Sequence, residues 1–278
     1  MIAVTGATGN VGRALVDRLL AAGRPVRALT RDPKRAALPE RAEVVEFRPE
    51  EPAALFDGAS GVFLYAQAVT EPLLAAARAA GVRHAVLLSS GIVQEGADET
   101  HPIHVLHANA ERLIRDSGLE WTFLRPNGFA TNALQWAPQI RAGNTVRGVY
   151  ADAVAAPIHE DDIAAVAERV LLDDGHEGGV HRLTGPAAAT NADQVAAIGA
   201  ALGRELAFVE IDPAAAGPEL FPYLDAHMLD RLLKTFEATI GVTPEITDTV
   251  ERITGTPART FARWARDHAA DFGADSAA

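Results

Sequence analysis

The sequence predicts an α/β fold: a doubly wound parallel sheet with a smaller, mostly helical C-terminal substrate lobe. Short apolar runs alternate with helical patterns over the first two-thirds of the chain, which requires crossover connections between parallel strands. The apolar runs are continuous rather than alternating, as expected for strands that are covered on both faces. A glycine-rich stretch, TGATGNVG, separates the first apolar run from the first helical pattern.

The strands and helices are predicted in order from these patterns. Each predicted strand is a short apolar run, and each predicted helix has apolar residues three or four positions apart. The predicted strands are Ile2–Thr5, Pro25–Leu29, Glu43–Phe47, Gly61–Tyr65, His84–Ser89, Trp121–Arg125, Val180–Leu183 and Leu206–Ile211. The predicted helices are Val11–Ala22, Val69–Ala80, His104–Asp116, Asp161–Leu172, Ala192–Leu202, Phe221–Thr239, Ile246–Ile253 and Ala258–Ala270. Asp161 is expected to cap its helix, and the last five residues, ADSAA, are expected to be disordered.

Composition excludes several classes of function. The chain has 278 residues, 48% of them hydrophobic, which is enough for a substantial core. A formal net charge of −12 would repel a phosphate backbone, so we expect no direct nucleic-acid binding. The absence of cysteine excludes disulfides, thiolate metal sites and cysteine nucleophiles. Met1 runs straight into the first strand and no apolar run is long enough to span a membrane, so we expect a cytoplasmic protein without membrane contact.

Three glycines lie between the first strand and the first helix, and they predict a dinucleotide site. A diphosphate needs a tight turn, a close approach of the backbone and the free amides of a helix N-terminus. A glycine-rich turn without a ligand is the alternative, but the α/β pattern that follows favours the dinucleotide. The predicted contacts in this loop are Gly6, Thr8, Gly9, Asn10, Val11 and Gly12.

Two domains are expected from this pattern. Residues 1–150 should form the NAD(P)-binding core, and residues 151–278 the substrate lobe and C-terminal helices, interleaved with the core. Open α/β sheets bind their ligands outside the carboxyl ends of the strands. We therefore expect the lobe to fold over that edge of the sheet.

The glycine spacing TGxxGxxG and several later segments resemble a known superfamily. The spacing is similar to that of short-chain dehydrogenases/reductases, and TGATGNVG is similar to their atypical, NmrA-like branch, which includes quinone reductases. LLSSG at 87–91, AERLIRDSGLEWTFLRPNGFATN at 110–132 and HRLTGP at 181–186 resemble later segments of that branch. The resemblance spans nearly the whole chain, and it implies a Rossmann-type sheet and a homodimer.

The end of the second predicted strand favours NADP(H) over NAD(H). An NAD-selective site places Asp or Glu here to hold the ribose 2′-hydroxyl, whereas this chain has Thr30 and then Arg31. A guanidinium at this position can pair with a 2′-phosphate. An ordinary solvated basic turn is the alternative, and the carboxylate of Asp32 would oppose a phosphate.

The superfamily's usual proton relay is absent from the sequence. Most members use a Tyr-x-x-x-Lys pair, in which the Lys lowers the pKa of the Tyr. Alignment on the segment at 110–132 puts His107 at the Lys position and Ile103 at the Tyr position. None of the three tyrosines, Tyr65, Tyr150 and Tyr223, has a Lys four residues later.

The resemblance implies further site residues in the loops that follow the strands. His107 is expected to orient the nicotinamide ribose or to supply a proton, and a purely structural histidine is the alternative. Ser90 and Asn127 complete the predicted catalytic set, although serines at a strand end also bond to backbone. The acids of HEDD, 159–162, are interpreted as a helix start, so no metal is expected. The predicted cofactor contacts in these loops are Ala66, Gln67, Ser89, Pro126 and Phe129.

Two functions are consistent with these residues. The first is an NADPH-dependent reductase that transfers hydride to a small apolar acceptor, such as a quinone or an unsaturated carbonyl, without the Tyr-Lys relay. The second is a non-catalytic, NAD(P)-sensing regulator of the NmrA-like kind, which acts through a protein partner. Epimerisation of a sugar nucleotide would need the missing Tyr. We favour the reductase and a small-molecule substrate.

Overall fold

The computed structural model describes residues 1–273, so the prediction for ADSAA lies outside the described residues. The chain divides into two compact units by its own contacts. The first unit comprises residues 1–127, 160–183 and 248–257; the second comprises 128–159, 184–247 and the segment from Ala258 onwards. The division of the chain near residue 150 into a cofactor core and a substrate lobe stays a prediction.

Eleven strands and ten α-helices form in the described part of the chain. The strands are β1 Ile2–Thr5, β2 Val26–Thr30, β3 Glu43–Glu46, β4 Gly61–Tyr65, β5 His84–Leu88, β6 Glu120–Pro126, β7 Thr145–Gly148, β8 Val154–Ala155, β9 Gly179–Leu183, β10 Ala189–Thr190 and β11 Ala207–Glu210. The helices are α1 Asn10–Ala21, α2 Glu71–Ala79, α3 Pro102–Asp116, α4 Ala137–Ala142, α5 Glu160–Leu172, α6 Asn191–Ala201, α7 Ala216–Leu220, α8 Ala226–Glu237, α9 Thr249–Thr254 and α10 Phe261–Asp267. No described helix has both the length and the apolar character that a membrane crossing requires.

The first unit is built on a seven-stranded sheet in the order β3-β2-β1-β4-β5-β6-β9. Every neighbouring pair is parallel, with Ile2 beside both Val26 and Gly61. The order runs outward in both directions from β1 and β4, so the crossover direction reverses between these two strands. In sheets of this kind ligands bind at that reversal, outside the carboxyl ends of the strands. The predicted Rossmann-type α/β fold is confirmed.

Helices cover both faces of this sheet. Helix α1 packs beside α5, and α5 also contacts β4, β5 and β6. The opposite face carries α2 and α3, whose apolar residues join a core that includes Leu64, Leu87, Ile114 and Phe123. Strand β3 is at the sheet edge and is partly exposed, so the expectation of strands covered on both faces does not hold there.

The second unit has its own core and two small strand pairs. Strands β7 and β11 are parallel, and β8 and β10 are antiparallel. Trp264, Phe272 and Ile140 are fully buried in this core, together with apolar residues of α6. Helix α6 begins with a capping box, in which Thr190 and Asp193 each bond the other's backbone amide.

Several predictions about helix starts are wrong: α9 begins at Thr249 rather than Ile246, and α10 at Phe261 rather than Ala258. The predicted helix Phe221–Thr239 begins only at Ala226, where the Asp225 side chain accepts a hydrogen bond from the Met228 amide at 2.8 Å. The ring of Pro222 disfavours helical geometry at Phe221, so an earlier start is blocked. Helix α5 begins at Glu160, which places Asp161 in its first turn rather than at its cap.

Candidate active site

The glycine loop joins β1 to α1 by a turn that only glycine accommodates well. Gly6 has a φ of +61° and its carbonyl accepts a hydrogen bond from the Gly9 amide at 2.9 Å. A Cβ added at Gly12 would lie 2.2 Å from the Gly6 carbonyl oxygen. The first turn of α1 therefore packs directly on the loop, as it must where a backbone approaches a diphosphate.

The start of α1 has the electrostatic properties of an anion site. Gly9 occupies the N-cap position and offers no side chain, and the first turn contains no acidic residue. Thr8, Gly9 and Asn10 are exposed. The first-turn amides of a helix lack intrahelical partners and have a partial positive charge. The loop therefore fits the diphosphate of a dinucleotide.

The end of β4 is fastened to the same loop. Thr5 donates its hydroxyl to the Phe63 carbonyl at 3.0 Å and accepts the Tyr65 amide at 3.1 Å. The Tyr65 ring lies over Gly6, with its Cδ1 3.1 Å from the position that a Cβ on Gly6 would take. Tyr65 is not among the site residues predicted from the sequence, although an aromatic residue at the end of the strand next to β1 is a usable signal.

Arg31 follows β2 and is exposed beside the glycine loop. The hydroxyls of Thr8 and Thr30 lie 3.5 Å apart, which connects the loop to the end of β2. The Asp32 carboxylate accepts a hydrogen bond from the Lys34 amide at 3.2 Å and caps a short 3-10 helix, Pro33–Arg35. Arg13 of α1 holds the segment after that helix through the carbonyls of residues 36 and 37.

A buried carboxylate lies beneath the ends of β5 and β6. Glu111 of α3 is fully buried and accepts the Ser89 hydroxyl at 2.6 Å. Arg125 of β6 donates two hydrogen bonds to the same carboxylate, at 2.8 and 2.6 Å. Arg115 adds a further one at 3.0 Å, and its guanidinium lies over the rings of Trp121 and Phe123. The Ser89 hydroxyl therefore donates to a buried side chain, not to backbone, and its predicted contact with the cofactor stays a prediction.

Asn127 lies against Gly91, the residue that follows Ser90, where the loops after β5 and β6 meet. The Gly91 amide donates to the Pro126 carbonyl at 2.8 Å, and a Cβ on Gly91 would lie 2.5 Å from Asn127 Oδ1. The Asn127 amide donates to the Leu183 carbonyl at 3.0 Å, which continues the pairing of β6 and β9. Ser90 and Asn127 thus belong to adjoining loops at the carboxyl ends of β5 and β6.

His107 is half-buried on α3, one helical turn before Glu111. Its Nδ1 is buried and has no hydrogen-bond partner among residues 1–273. Burial lowers the pKa of His107 from 6.5, and the negative charge of Glu111 opposes this effect only in part. The imidazole is therefore neutral at pH 7, which favours an orienting role over a stored proton.

The remaining predicted residues lie in two places. Ala66 and Gln67 form a 3-10 turn directly after β4, and α3 packs beside this turn. Phe129 belongs to the second unit, where the residues on either side of it bond to the backbone of Ile158.

Of the HEDD run, Glu160 and Asp162 are buried in α5. No group of three His, Asp or Glu residues suited to a metal ion occurs between residues 1 and 273.

The fold and the loop together define a dinucleotide-binding Rossmann protein. A family model described as NAD(P)H-binding matches residues 6–174. The chain belongs to this family of NAD(P)H-binding proteins, and the predicted nicotinamide cofactor is confirmed.

Known proteins similar to the chain include several reductases. A (4-alkanoyl-5-oxo-2,5-dihydrofuran-3-yl)methyl phosphate reductase of Streptomyces griseus is 41% identical, over 98% of this chain and 99% of that protein. The crystal structure of an NADPH-dependent quinone oxidoreductase from Escherichia coli superposes with a TM-score of 0.77 at 26% identity, over 96% of this chain and 99% of that one. A structure of mutant NmrA superposes with a TM-score of 0.70 at 20% identity, over 96% and 94%. The NmrA-like resemblance is thereby confirmed at the level of fold.

Proposed function

We propose that the chain is an NADPH-dependent reductase that transfers hydride to the β-carbon of an unsaturated carbonyl compound. The observation that carries the proposal is the 41% identity, along nearly its whole length, with a reductase of an unsaturated lactone. The name of that relative's substrate describes a ring alkene conjugated to both a lactone carbonyl and an alkanoyl group. Such an alkene is electron-poor and accepts hydride without a strong acid. A quinone, the substrate class of the structural neighbour, is the second acceptor to be tested.

The proposed reaction requires the protein mainly to position the acceptor beside the cofactor. When bound, a reduced nicotinamide supplies a hydride, which adds to the β-carbon while the double-bond electrons move to the carbonyl oxygen as an enolate. A proton from water then completes the saturated product at the α-carbon. Ser90 and Asn127, on the loops that meet at Gly91, are the groups proposed to hydrogen-bond the acceptor's carbonyl oxygen. Such donors stabilise the charge that develops there.

His107 is proposed to orient the nicotinamide ribose. A neutral imidazole carries one N–H and one lone pair, so it can both donate to and accept from a ribose hydroxyl. The lowered pKa of His107 keeps the ring in that form at pH 7. This assignment needs no Tyr-Lys pair, and it agrees with the absence of one from the sequence.

The preference for NADPH is proposed to come from Arg31. Its guanidinium is exposed at the end of β2, and the nearest carboxylate in sequence, Asp32, is turned to the backbone of Lys34. A free guanidinium can form two hydrogen bonds with the 2′-phosphate. NADH lacks the 2′-phosphate, so Arg31 would not strengthen its binding.

The test is NADPH oxidation by the purified full chain with a panel of acceptors. The panel contains an acyl-butenolide with and without a phosphate ester, a naphthoquinone and a saturated ketone. We expect turnover with the butenolides, none with the ketone, and transfer of deuterium from labelled NADPH to the β-carbon. Turnover of the quinone alone would replace the proposed substrate class. Tight NADPH binding with no turnover of any acceptor would overturn the proposal and favour the NAD(P)-sensing regulator.

A further inference from the structure

Tyr65 lies against the glycine loop in a position that the cofactor assignment does not explain. The ring's Cδ1, Cε1 and Cγ lie 3.1, 3.5 and 3.7 Å from the point where a Cβ on Gly6 would stand. One edge of the ring therefore packs on the glycine turn itself. Because the hydroxyl is only two bonds from Cε1, it stays close to the loop. The side chain is only partly buried, so a bound ligand can reach it.

The hydroxyl of Tyr65 is available for a ligand. Within residues 1–273 its oxygen makes no hydrogen bond, whereas the backbone amide of the same residue is bonded to Thr5 Oγ1 at 3.1 Å. That bond and the Thr5 contact to Phe63 fix the end of β4 relative to the loop. The ring is therefore held in place by backbone contacts that do not involve its hydroxyl. A phenol is both a donor and an acceptor, and it gains from meeting a polar group.

The order of the strands indicates which part of the cofactor would contact the Tyr65 hydroxyl. Strand β1 lies between β2 and β4. Arg31 follows β2, so the 2′-phosphate and its adenosine lie on that side of the glycine loop. The nicotinamide half must then extend past the loop towards β4 and β5. Tyr65 ends β4 and therefore stands on the nicotinamide side of the diphosphate.

We propose that Tyr65 is a cofactor-binding residue whose ring closes the glycine turn and whose hydroxyl donates a hydrogen bond to the nicotinamide mononucleotide half of NADPH. The inference rests on the cofactor site of the proposed reductase, but it does not depend on which acceptor is reduced. The inference assigns two roles to the Tyr65 side chain. The ring supports the turn through its contact with Gly6, and the hydroxyl binds the ligand.

The experiment measures binding of two ligands by calorimetry. NADPH contains the half that Tyr65 is proposed to contact, and 2′,5′-ADP contains the 2′-phosphate but lacks the nicotinamide half. Tyr65→Phe removes the hydroxyl alone and is expected to weaken NADPH about three- to tenfold, the range for one lost hydrogen bond, and to leave 2′,5′-ADP unchanged. Tyr223→Phe is the matched control, because Tyr223 is 76% exposed and belongs to the second unit.

The outcomes separate this inference from the proposed function. Equal affinity of Tyr65→Phe and the unaltered chain for NADPH would overturn the inference and leave only a packing role for the ring. A matching loss for 2′,5′-ADP would also overturn it, because the effect would then come from a disturbed loop. If the unaltered chain binds NADPH but reduces no acceptor, the reductase fails while the role of Tyr65 is still decided by the two affinities.

Discussion

Glu111 and Arg125 form a two-bond ion pair in which the carboxylate is fully buried and the guanidinium is partly buried. The pair joins α3 to β6 just before Pro126, and the Ser89 hydroxyl joins β5 to the same carboxylate. Three of the elements that carry the candidate site thus meet at one side chain. The position of His107, one turn away on α3, depends on the same anchor.

Replacing Glu111 by Ala should be strongly destabilising. The substitution leaves Arg125 and Arg115 without their shared buried acceptor, and breaking a buried pair from one side costs about 3–5 kcal/mol of unfolding free energy. Ser89→Ala removes only one donor and should cost about 1 kcal/mol. Urea denaturation of both variants measures the difference. Similar small losses for the two would mean that the carboxylate is not the anchor described above.

Gly12→Ala should abolish NADPH binding. Its Cβ would meet the Gly6 carbonyl oxygen at 2.2 Å, so the start of α1 must move away from the loop. Gly143→Ala is the matched control, because a Cβ there meets nothing within 4 Å and the φ of 177° is extended backbone. Calorimetry with NADPH, after circular dichroism has confirmed folding, checks the pair. Unimpaired binding by Gly12→Ala would show that the diphosphate does not use this turn.

Arg31→Asp should invert the cofactor preference. The change removes a cation and adds an anion beside the proposed 2′-phosphate, and a hydrogen bond to a charged group is worth about 1.5–3 kcal/mol, or about tenfold to a hundredfold in affinity. NADH should be little affected. Arg24→Asp is the control, because it makes the same change of charge at a distant position. Arg24 is exposed and precedes β2, so it lies at the amino ends of the strands, whereas Arg31 lies at the carboxyl ends. A ratio of NADPH to NADH affinity that is unchanged in Arg31→Asp would remove Arg31 from the site.

His107→Ala tests the orienting role assigned to the imidazole. Loss of a group that positions the nicotinamide ribose should lower kcat about tenfold to a hundredfold, the range for misplaced reactants, with a smaller effect on NADPH affinity. Because the pKa of His107 is below its usual 6.5, kcat of the unaltered chain should be flat from pH 7 upwards and fall under more acidic conditions. A kcat that is the same in His107→Ala would return His107 to a structural role.

The sequence predicted most of the sheet because its strands are buried apolar runs with glycine or polar ends. Strands β1 and β4 coincide with their predictions, and the glycine loop was found from its spacing. The contacts that shape the site were harder to predict. Glu111 lies 22 residues from Ser89 and 14 from Arg125, so nothing local indicates that they meet.

The role of Tyr65 could not be predicted from the sequence for a similar reason. Its contact with Gly6 joins residues at the ends of two neighbouring strands, and it becomes visible only when the strand order is known. Strands β7, β8 and β10 were missed because β7 has four residues with a single large apolar one, and β8 and β10 have only two residues each. Tertiary pairing, rather than local propensity, determines these segments.

His181 should make the stability of the protein sensitive to mild acid. Its Nε2 is buried and has no hydrogen-bond partner among the described residues, and burial, His176 and Arg252 lower its pKa from 6.5 to about 4. Between these two values the unfolded chain binds a proton that the folded chain does not. The contribution of His181 is therefore fully present above pH 6.5 and is lost as the pH falls towards 4.

The measurement is urea denaturation at pH 7 and pH 5 for the unaltered chain, His181→Gln and His227→Gln. His227 is exposed on α8 and serves as the control. His181→Gln should lose less unfolding free energy between the two pH values than the other two proteins, because glutamine does not titrate. His84 is also held neutral by burial, so some acid sensitivity should persist in every variant. An identical loss in all three proteins would show that His181 does not titrate differently in the folded and unfolded states.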